Sequence, residues 1–364
     1  MSRTSTKKYN TMVEASCRDD RIRGTLQFYG AARSGRWAGR ILQVQNLARS
    51  DIEDLDFARE LAREGDLDAI DMLYGDIPDT LSQLVRTALI AKPGHKLIVS
   101  DFGQIEARVI SALAGETWRL EAFAAGEDLY SITASRMYGV PVVKHGENAH
   151  LRQRGKVAEL ACGYGGGVVA MQAMDKSHSI PEEELQEVVD QWRRSNPRIC
   201  KLWREFGEAA TRCIRDRRPV RTHGCRFTYS NSTMFIELPS QGHRRLAYYQ
   251  ARVGRNAHGT EEIYYLGTQV GSRAYGETSS WGGKLTENLV QAVARDCLAQ
   301  ALLKVNQAGY NVIFSVHDEL IAEVPDGQVE AAKNTIDQIM AEPVEFLPTM
   351  PLKGDTYEAA YYRK

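Results

Sequence analysis

The chain has 364 residues, of which 43% are hydrophobic and 26% charged, with a net charge of −1. That composition describes an ordinary soluble globular protein of about two domains. It holds no apolar run near the roughly 18 residues of a membrane span. The opening segment Met1–Lys8 has no secretory apolar core. The six cysteines form no Cys-x-x-Cys pair, which reads as reduced thiols of a cytoplasmic protein rather than a zinc site or disulfide frame. Overall charge points to no nucleic-acid partner, but the arginines cluster locally.

Between Gly30 and Leu47, Arg33, Arg36 and Arg40 sit among glycines and small residues, followed by Gln43, Gln45 and Asn46. Small residues admit a ligand close to the backbone, and arginine and amide side chains suit phosphates and groove edges. A solvated basic loop is the alternative reading. From Ser50 to Gly75 the chain turns acidic while Leu55, Ala58, Leu61 and Ala62 keep helical spacing, so a solvated helical pair is expected there. Leu81 to Ala91 also reads as helical and carries Arg86, and Pro93-Gly94 breaks it.

Leu97-Ile98-Val99 is a buried-strand pattern that runs into Asp101. Ile105, Val109, Ile110 and Leu113 then recur at helical spacing to about Gly115. A carboxylate at the end of a strand can meet a metal or a phosphate, or it can simply cap the helix that follows. The pattern stays helical as far as Arg217-Arg218-Pro219. Within it Arg152, Lys156, Leu160 and Tyr164 are each four apart. At about 100° per residue each step drifts only about 40°, so they share a face with cations at one end and an aromatic at the other. Such a face suits a triphosphate and a base, or it is a surface helix with solvated cations. Gly163 and Gly165 to Gly167 end this helix, and no Gly-Lys-Ser/Thr follows to make a P-loop.

Ser179-Ile-Pro181-Glu182 has the form of a capping box. Beyond it Arg193, Arg194, Arg198, Lys201, Arg204, Arg212, Arg215, Arg217 and Arg218 concentrate on a helical segment broken at Asn196-Pro197. This is a candidate phosphate-tracking surface or a solvated face. From Val220 the pattern changes to antiparallel hairpins, then to a helix over Thr286–Val305 with Asn288, Gln291 and Arg295. Two β-rich runs next flank the tip His317-Asp318-Glu319, a tight hairpin, before a helix near Val329–Met340. Adjacent acids in an apolar hairpin are electrostatically poor unless a cation lies between them. Asp101 and Asp318 could jointly hold two metal ions, the clamp of a phosphoryl transfer.

In these residues the chain resembles the family-A DNA polymerases, most of all their phage members. Asp101-Phe-Gly-Gln-Ile-Glu106-Ala-Arg is similar to the family's first catalytic motif, Arg152 to Tyr164 to its fingers helix, and Val316-His317-Asp318-Glu319 to its third motif. Ser34-Gly35-Arg36 through Gln45-Asn46 is similar to its primer-contacting stretch. The resemblance implies an α+β right-hand core with an antiparallel palm sheet and helical fingers, and a thumb apparently absent. Residues 1–115 would be the first part of the palm, with a helical insertion at about 51–79; residues 116–224 the fingers; and residues 225–364 the rest of the palm.

It further implies template-directed DNA synthesis in replication, from dNTPs onto a primer-template, with Mg2+ (two ions) or Mn2+ as cofactor. Asp101, Asp318 and the backbone of Phe102 would hold metal, with Glu319 nearby. Arg152 and Lys156 would bind the triphosphate, and Lys156 would protonate the pyrophosphate. Gln104, Glu106, Tyr130, Leu160 and Tyr164 would line the nucleotide site, with Glu106 excluding a 2′-hydroxyl. Arg36, Gln45, Asn46, Gln291 and His317 would contact DNA. Leu160 stands where the family usually has Phe or Tyr, and Tyr130 where it has His. Gly283 and Glu287 stand where it has Arg and Asn. A non-catalytic remnant, or one part of a split polymerase, is the other reading. The partner would then be a separate thumb or exonuclease polypeptide, or a processivity factor. The host cytoplasm is the expected location.

Overall fold

The computed structural model describes residues 6–240, 242, 244–257, 259–269 and 274–363; the first five residues of the opening segment lie outside these. Two compact units emerge, Met1–Gly103 with Cys297–Glu342 and Lys353–Lys364, and Gln104–Asp296 with Pro343–Leu352. The chain passes between the two units after Gly103 and Asp296, and again after Glu342 and Leu352. The strands from Val220 onward pack on the helix Pro197–Asp216, which ties them to the helical segment before them.

The first unit is built on a four-stranded antiparallel sheet in the order Asn311–Val316, Glu319–Pro325, His95–Phe102, Gly354–Ala359. Side chains alternate across a strand. Leu97 and Val99 point to one face and join Leu42, Val44, Leu47, Val316 and Ile321 in a buried cluster. Fully burying each such side chain contributes about 1.5–3 kcal/mol. The opposite face is covered by the helix Val329–Ala341. There the hydroxyls of Ser100 and Thr356 lie 2.7 Å apart, and Thr356 donates to Asp337 at 3.0 Å.

The acidic stretch forms the helices Leu55–Glu64 and Leu67–Tyr74, as expected, and a third over Ile77–Leu84. Three of its acids have a plain structural job. Asp54, Asp66 and Asp76 cap these helices by accepting from the backbone amides of Phe57, Ala69 and Asp79. The expected Leu81–Ala91 helix is shorter, passing into a 3-10 turn at Val85–Ala88.

The second unit opens with seven helices, from Ile105–Ala114 to Pro197–Asp216. A six-stranded antiparallel meander follows, from Val220–Thr222 to Tyr275–Ser280. Its helical core closes on a buried ion pair. Arg119, 1% exposed at its side chain, makes two bonds to Glu159 at 2.7 and 2.8 Å. Glu159 also accepts from Thr133 and Trp192, and Arg119 also donates to Asn196 and Ser111. Satisfying every arm is what makes burial of such a pair tolerable. Trp192 and Trp203 stack at 5.9 Å beside it.

The expected capping box does not form. Ser179 donates instead to Asp175 at 2.8 Å, and Asp175 also takes the Ile180 amide. A 3-10 turn, Glu182–Glu184, then leads into the helix Leu185–Ser195, with no side-chain cap. The glycines end the helix Ala149–Cys162 as expected, its C-cap being Gly163. No helix among the described residues is long and apolar enough to cross a membrane.

Candidate active site

In the first unit the two motif acids meet at one end of the sheet. The strand Glu319–Pro325 pairs with His95–Phe102 so that Glu319 stands opposite Asp101. The amide of Phe102 donates to the carbonyl of Asp318 at 3.2 Å. His317 closes the hairpin in the left-handed region, φ +53°, which lets Val316 pair directly with Glu319. Alternation along His95–Phe102 puts Asp101 on the face of Leu97 and Val99. The N-cap position of the helix that follows belongs to Gln104 at φ +54°, without a side-chain cap bond.

Arg36 reaches Asp318. It follows Gly35, whose φ of +70° turns the short antiparallel hairpin of Leu26–Ala31 and Arg36–Gly39, and it donates to both oxygens of Asp318 at 3.1 and 3.3 Å. His317 lies 3.2 Å from the carbonyl of Gln45 through Nε2. Asn46 is exposed and donates to Gln43 at 3.3 Å. The side-chain oxygen of Gln45 is buried with no hydrogen-bond partner among the described residues.

Three features here were not read from the sequence. Glu319 is fully buried and accepts a 2.7 Å bond from the hydroxyl of Tyr362. Arg86 is buried too, bonded to the carbonyl of Leu47 at 2.7 Å and to the Tyr362 hydroxyl at 3.4 Å. Asp355 stands opposite Asp101 on the other neighbouring strand. A cavity of about 450 Å³ opens onto this group, lined by Asp101, Glu319, Asp355, Tyr357 and Arg86. Burial first, and the charge of Glu319 second, push the hydroxyls of Tyr357 and Tyr362 well above the usual tyrosine range.

No group of three or more acid, histidine or cysteine side chains among the described residues is arranged to hold a metal ion. The donors present are hard carboxylate oxygens at Asp101 and Asp318. Magnesium is commonly held by one or two carboxylates together with water and substrate phosphates, so this donor set fits it. The guanidinium of Arg36 already supplies positive charge at Asp318.

The second unit carries the other motif residues. Tyr164 donates to Glu106 at 2.7 Å, joining two residues 58 apart in sequence. Lys156 is half-buried on the helix Ala149–Cys162 and forms no ion pair among the described residues. Arg152, one turn earlier, is engaged by Asp128 through two bonds of 2.7 and 2.9 Å and lies 5.4 Å from the ring of Tyr130. Burial works to raise the pKa of Asp128, but the bonds from Arg152 and Ser131 outweigh it and hold the carboxyl below its ordinary range. The guanidinium of Arg152 is raised in turn, chiefly by the bond to Asp128.

Gly155 explains how the two helices come so close. A Cβ there would lie 2.4 Å from the carbonyl of Tyr130. Leu160 is 52% exposed, a large apolar side chain left open to solvent on the face expected for it. Tyr164 lies just past the helix end, in a turn where Gly165 takes φ +84°. Gln291 lies on the helix Gly282–Gln307 and donates to Glu287 at 3.4 Å.

The first unit thus carries an acid pair at neighbouring strand ends, and the second a cation-bearing helix followed by a tyrosine. Residues 2–363 match the family model described as DNA polymerase family A, and the chain belongs to that family. It is 46% identical over 367 residues to the DNA polymerase of Bacillus phage SP02, covering 100% of this chain and 56% of that protein. It is 28% identical over 264 residues to DNA polymerase I of Rhizobium leguminosarum, covering 70% of this chain and 22% of that protein. Against the thermostable DNA polymerase I of Thermus aquaticus, identity is 24% over 291 residues, 78% of this chain and 29% of that protein. Among solved structures, the POL domain of Pol1 from M. smegmatis, in complex with DNA primer-template and dNTP, matches with a TM-score of 0.63. That match has 20% identity over 98% of this chain and 51% of that one, and it shows a shared fold. The chain thus spans about half the length, or less, of these relatives.

Proposed function

We propose that this chain is the catalytic core of a template-directed DNA polymerase acting in replication, joining dNTPs to a primer 3′ end with release of pyrophosphate. The observation that carries the reading is the pairing register: it sets Glu319 opposite Asp101 and so brings the acid of the hairpin tip, Asp318, beside the acid of the strand end. Binding alone does not need both acids. In this reading residues 1–115 and 225–364 serve as palm, with the insertion at about 51–79, and residues 116–224 serve as fingers.

Asp101 and Asp318, with the backbone carbonyl of Phe102, would hold two magnesium ions. When bound, these supply charge stabilisation for the attacking and leaving oxygens of an in-line displacement. Lys156 supplies an ammonium with no competing carboxylate among the described residues, and so can pair with a triphosphate and pass a proton to the departing pyrophosphate. Arg152 supplies a planar fork for phosphate oxygens once Asp128 releases it. Leu160 offers apolar surface to a base. The carboxylate of Glu106, fixed by Tyr164, occupies space that a ribose 2′-hydroxyl would need, which selects deoxynucleotides. Arg36, Gln45, Asn46, Gln291 and His317 present donors and acceptors to the duplex end. Such contacts test pair shape without reading sequence, because minor-groove acceptors differ little between base pairs.

The test is primer extension by the purified chain with a labelled primer-template, four dNTPs and magnesium. Template-dependent elongation that stops on adding EDTA supports the reading. Absence of any elongation with either magnesium or manganese would sink it.

A further inference from the structure

A second cleft, in the second unit, has a composition that the acid site does not explain. It encloses about 550 Å³ and is lined by Arg215, Arg217, Arg252 and Arg255, with Tyr229 and one acid, Glu261. Two of the arginines come from the end of the helix Pro197–Asp216 and the residue after it, and two from the strand Arg245–Arg255. Cations at a helix C-terminus are favoured by the helix dipole, which by itself accounts for Arg215 and Arg217. It does not account for Arg252 and Arg255, which a strand delivers to the same place.

Part of this charge is already balanced. Arg215 pairs with Glu261, and Arg252 pairs with Glu277 at 2.8 Å. Arg217 and Arg255 are exposed and form no ion pair among the described residues. Arg217 takes the left-handed region, φ +52°, and its guanidinium lies 5.9 Å from the ring of Tyr229. Arginines beside an aromatic face are the combination that grips a single strand, with phosphate on the cations and a base on the ring.

The helix extends the same charge. Lys201, Arg204, Arg212 and Arg215 are all exposed. At about 100° per residue they fall within roughly 80° of its surface, over about 21 Å of its length. Glu208 is exposed on the same face and Lys201 pairs with Glu205 at 3.5 Å, so the face leading to the cleft is basic in balance rather than throughout.

We propose that this cleft, with the helix face leading to it, binds the phosphodiester backbone of single-stranded nucleic acid. The proposal rests on the polymerase reading for its natural occupant, since the single strand of a primer-template is the template overhang. A duplex offers phosphates but no free base for Tyr229, and an acidic peptide offers charge without a base to stack.

The test uses the full chain and three probes: a fluorescein-labelled 20-residue oligo-dT, and primer-templates with 2- and 12-nucleotide 5′ overhangs. In the double variant Arg217→Ala/Arg255→Ala, affinity for oligo-dT and for the long overhang should fall roughly tenfold at about 0.1 M salt. The log-log salt slope should become shallower by about 1.4, for two single-strand phosphates lost. Arg217→Lys/Arg255→Lys should keep most of the binding, and both variants should extend the 2-nucleotide overhang as the parent does.

Unchanged oligo-dT binding by the alanine variant would overturn the proposal. So would an equal loss on the short overhang, or displacement of oligo-dT by polyglutamate at matched charge. A parent that binds oligo-dT through these arginines yet extends no primer keeps the cleft and removes the polymerase reading. Normal extension without arginine-dependent oligo-dT binding removes the cleft alone.

Discussion

Tyr362 donates its hydroxyl to Glu319 across 2.7 Å, and both side chains are fully buried. Glu319 stands opposite Asp101 in the sheet, so a residue near the end of the chain holds the acid that neighbours the candidate metal site. Arg86 reaches the same hydroxyl at 3.4 Å and gives the buried carboxylate a nearby positive charge. Tyr362→Phe removes one donor from Glu319 and should cost about 1–3 kcal/mol. Urea unfolding of the variant and parent checks this; equal midpoints would show that the bond contributes nothing.

Alkaline stability should reflect the same burial. Desolvation raises Tyr9 from 10.0 to about 12 and pushes Tyr357 and Tyr362 up as well. The folded state therefore keeps these protons at a pH where the unfolded chain has lost them. Their contribution is fully present below pH about 10 and is lost progressively as the pH rises above it. Unfolding midpoints between pH 8 and 11.5 should fall above about 10, and fall less steeply in Tyr362→Phe. A flat profile over that range would contradict the assignment.

The acids should separate chemistry from binding. Asp101→Asn and Asp318→Asn each remove charge that would hold metal, worth several kcal/mol in the transition state, or about 10³-fold in rate. Primer-template binding, measured by anisotropy, should stay within a few-fold of the parent, because neither acid is expected to contact phosphate. Near-normal extension by either variant would reject the two-metal assignment.

Sugar choice should depend on a pair rather than on one residue. Glu106→Ala should admit ribonucleotides by opening the space the carboxylate fills. Tyr164→Phe should do so more weakly, because it leaves Glu106 in place but unfixes it. Single-nucleotide incorporation of rNTP against dNTP gives the ratio. An unchanged ratio in Glu106→Ala would take that residue out of the selection.

The helix carrying Lys156 should depend on a buried ion pair. Glu159→Leu leaves the guanidinium of Arg119 buried without its carboxylate, a change that typically costs about 3–5 kcal/mol. Arg119→Met/Glu159→Leu, which removes both charges, should recover much of that loss. Thermal unfolding of the single and double variants decides it, and a double variant no more stable than the single one would argue against the pair as the cause.

Much of this protein is legible along the chain because much of it is local. The apolar strand ending in Asp101, the tight turn at His317-Asp318, and the four-residue spacing from Arg152 to Tyr164 each follow from neighbours in sequence. So do the hairpins after Val220 and the helix carrying Gln291. The motif spacing was enough to identify the family, since its four stretches occur in order. What required the tertiary structure is every contact between residues far apart in sequence. Opposing Asp101 to Glu319 needs a strand register across more than two hundred residues. The bond from Tyr362 to Glu319 and the engagement of Arg152 by Asp128 leave no periodic trace, nor does the burial of Arg119 against Glu159. The failed capping box at Ser179 shows the same limit, because Asp175 competes for that hydroxyl and wins through the turn that brings it close. The arginine cleft is the clearest case. Arg217 and Arg255 look like ordinary surface cations until the strand Arg245–Arg255 folds back beside the helix end, and only then do their charges share one volume.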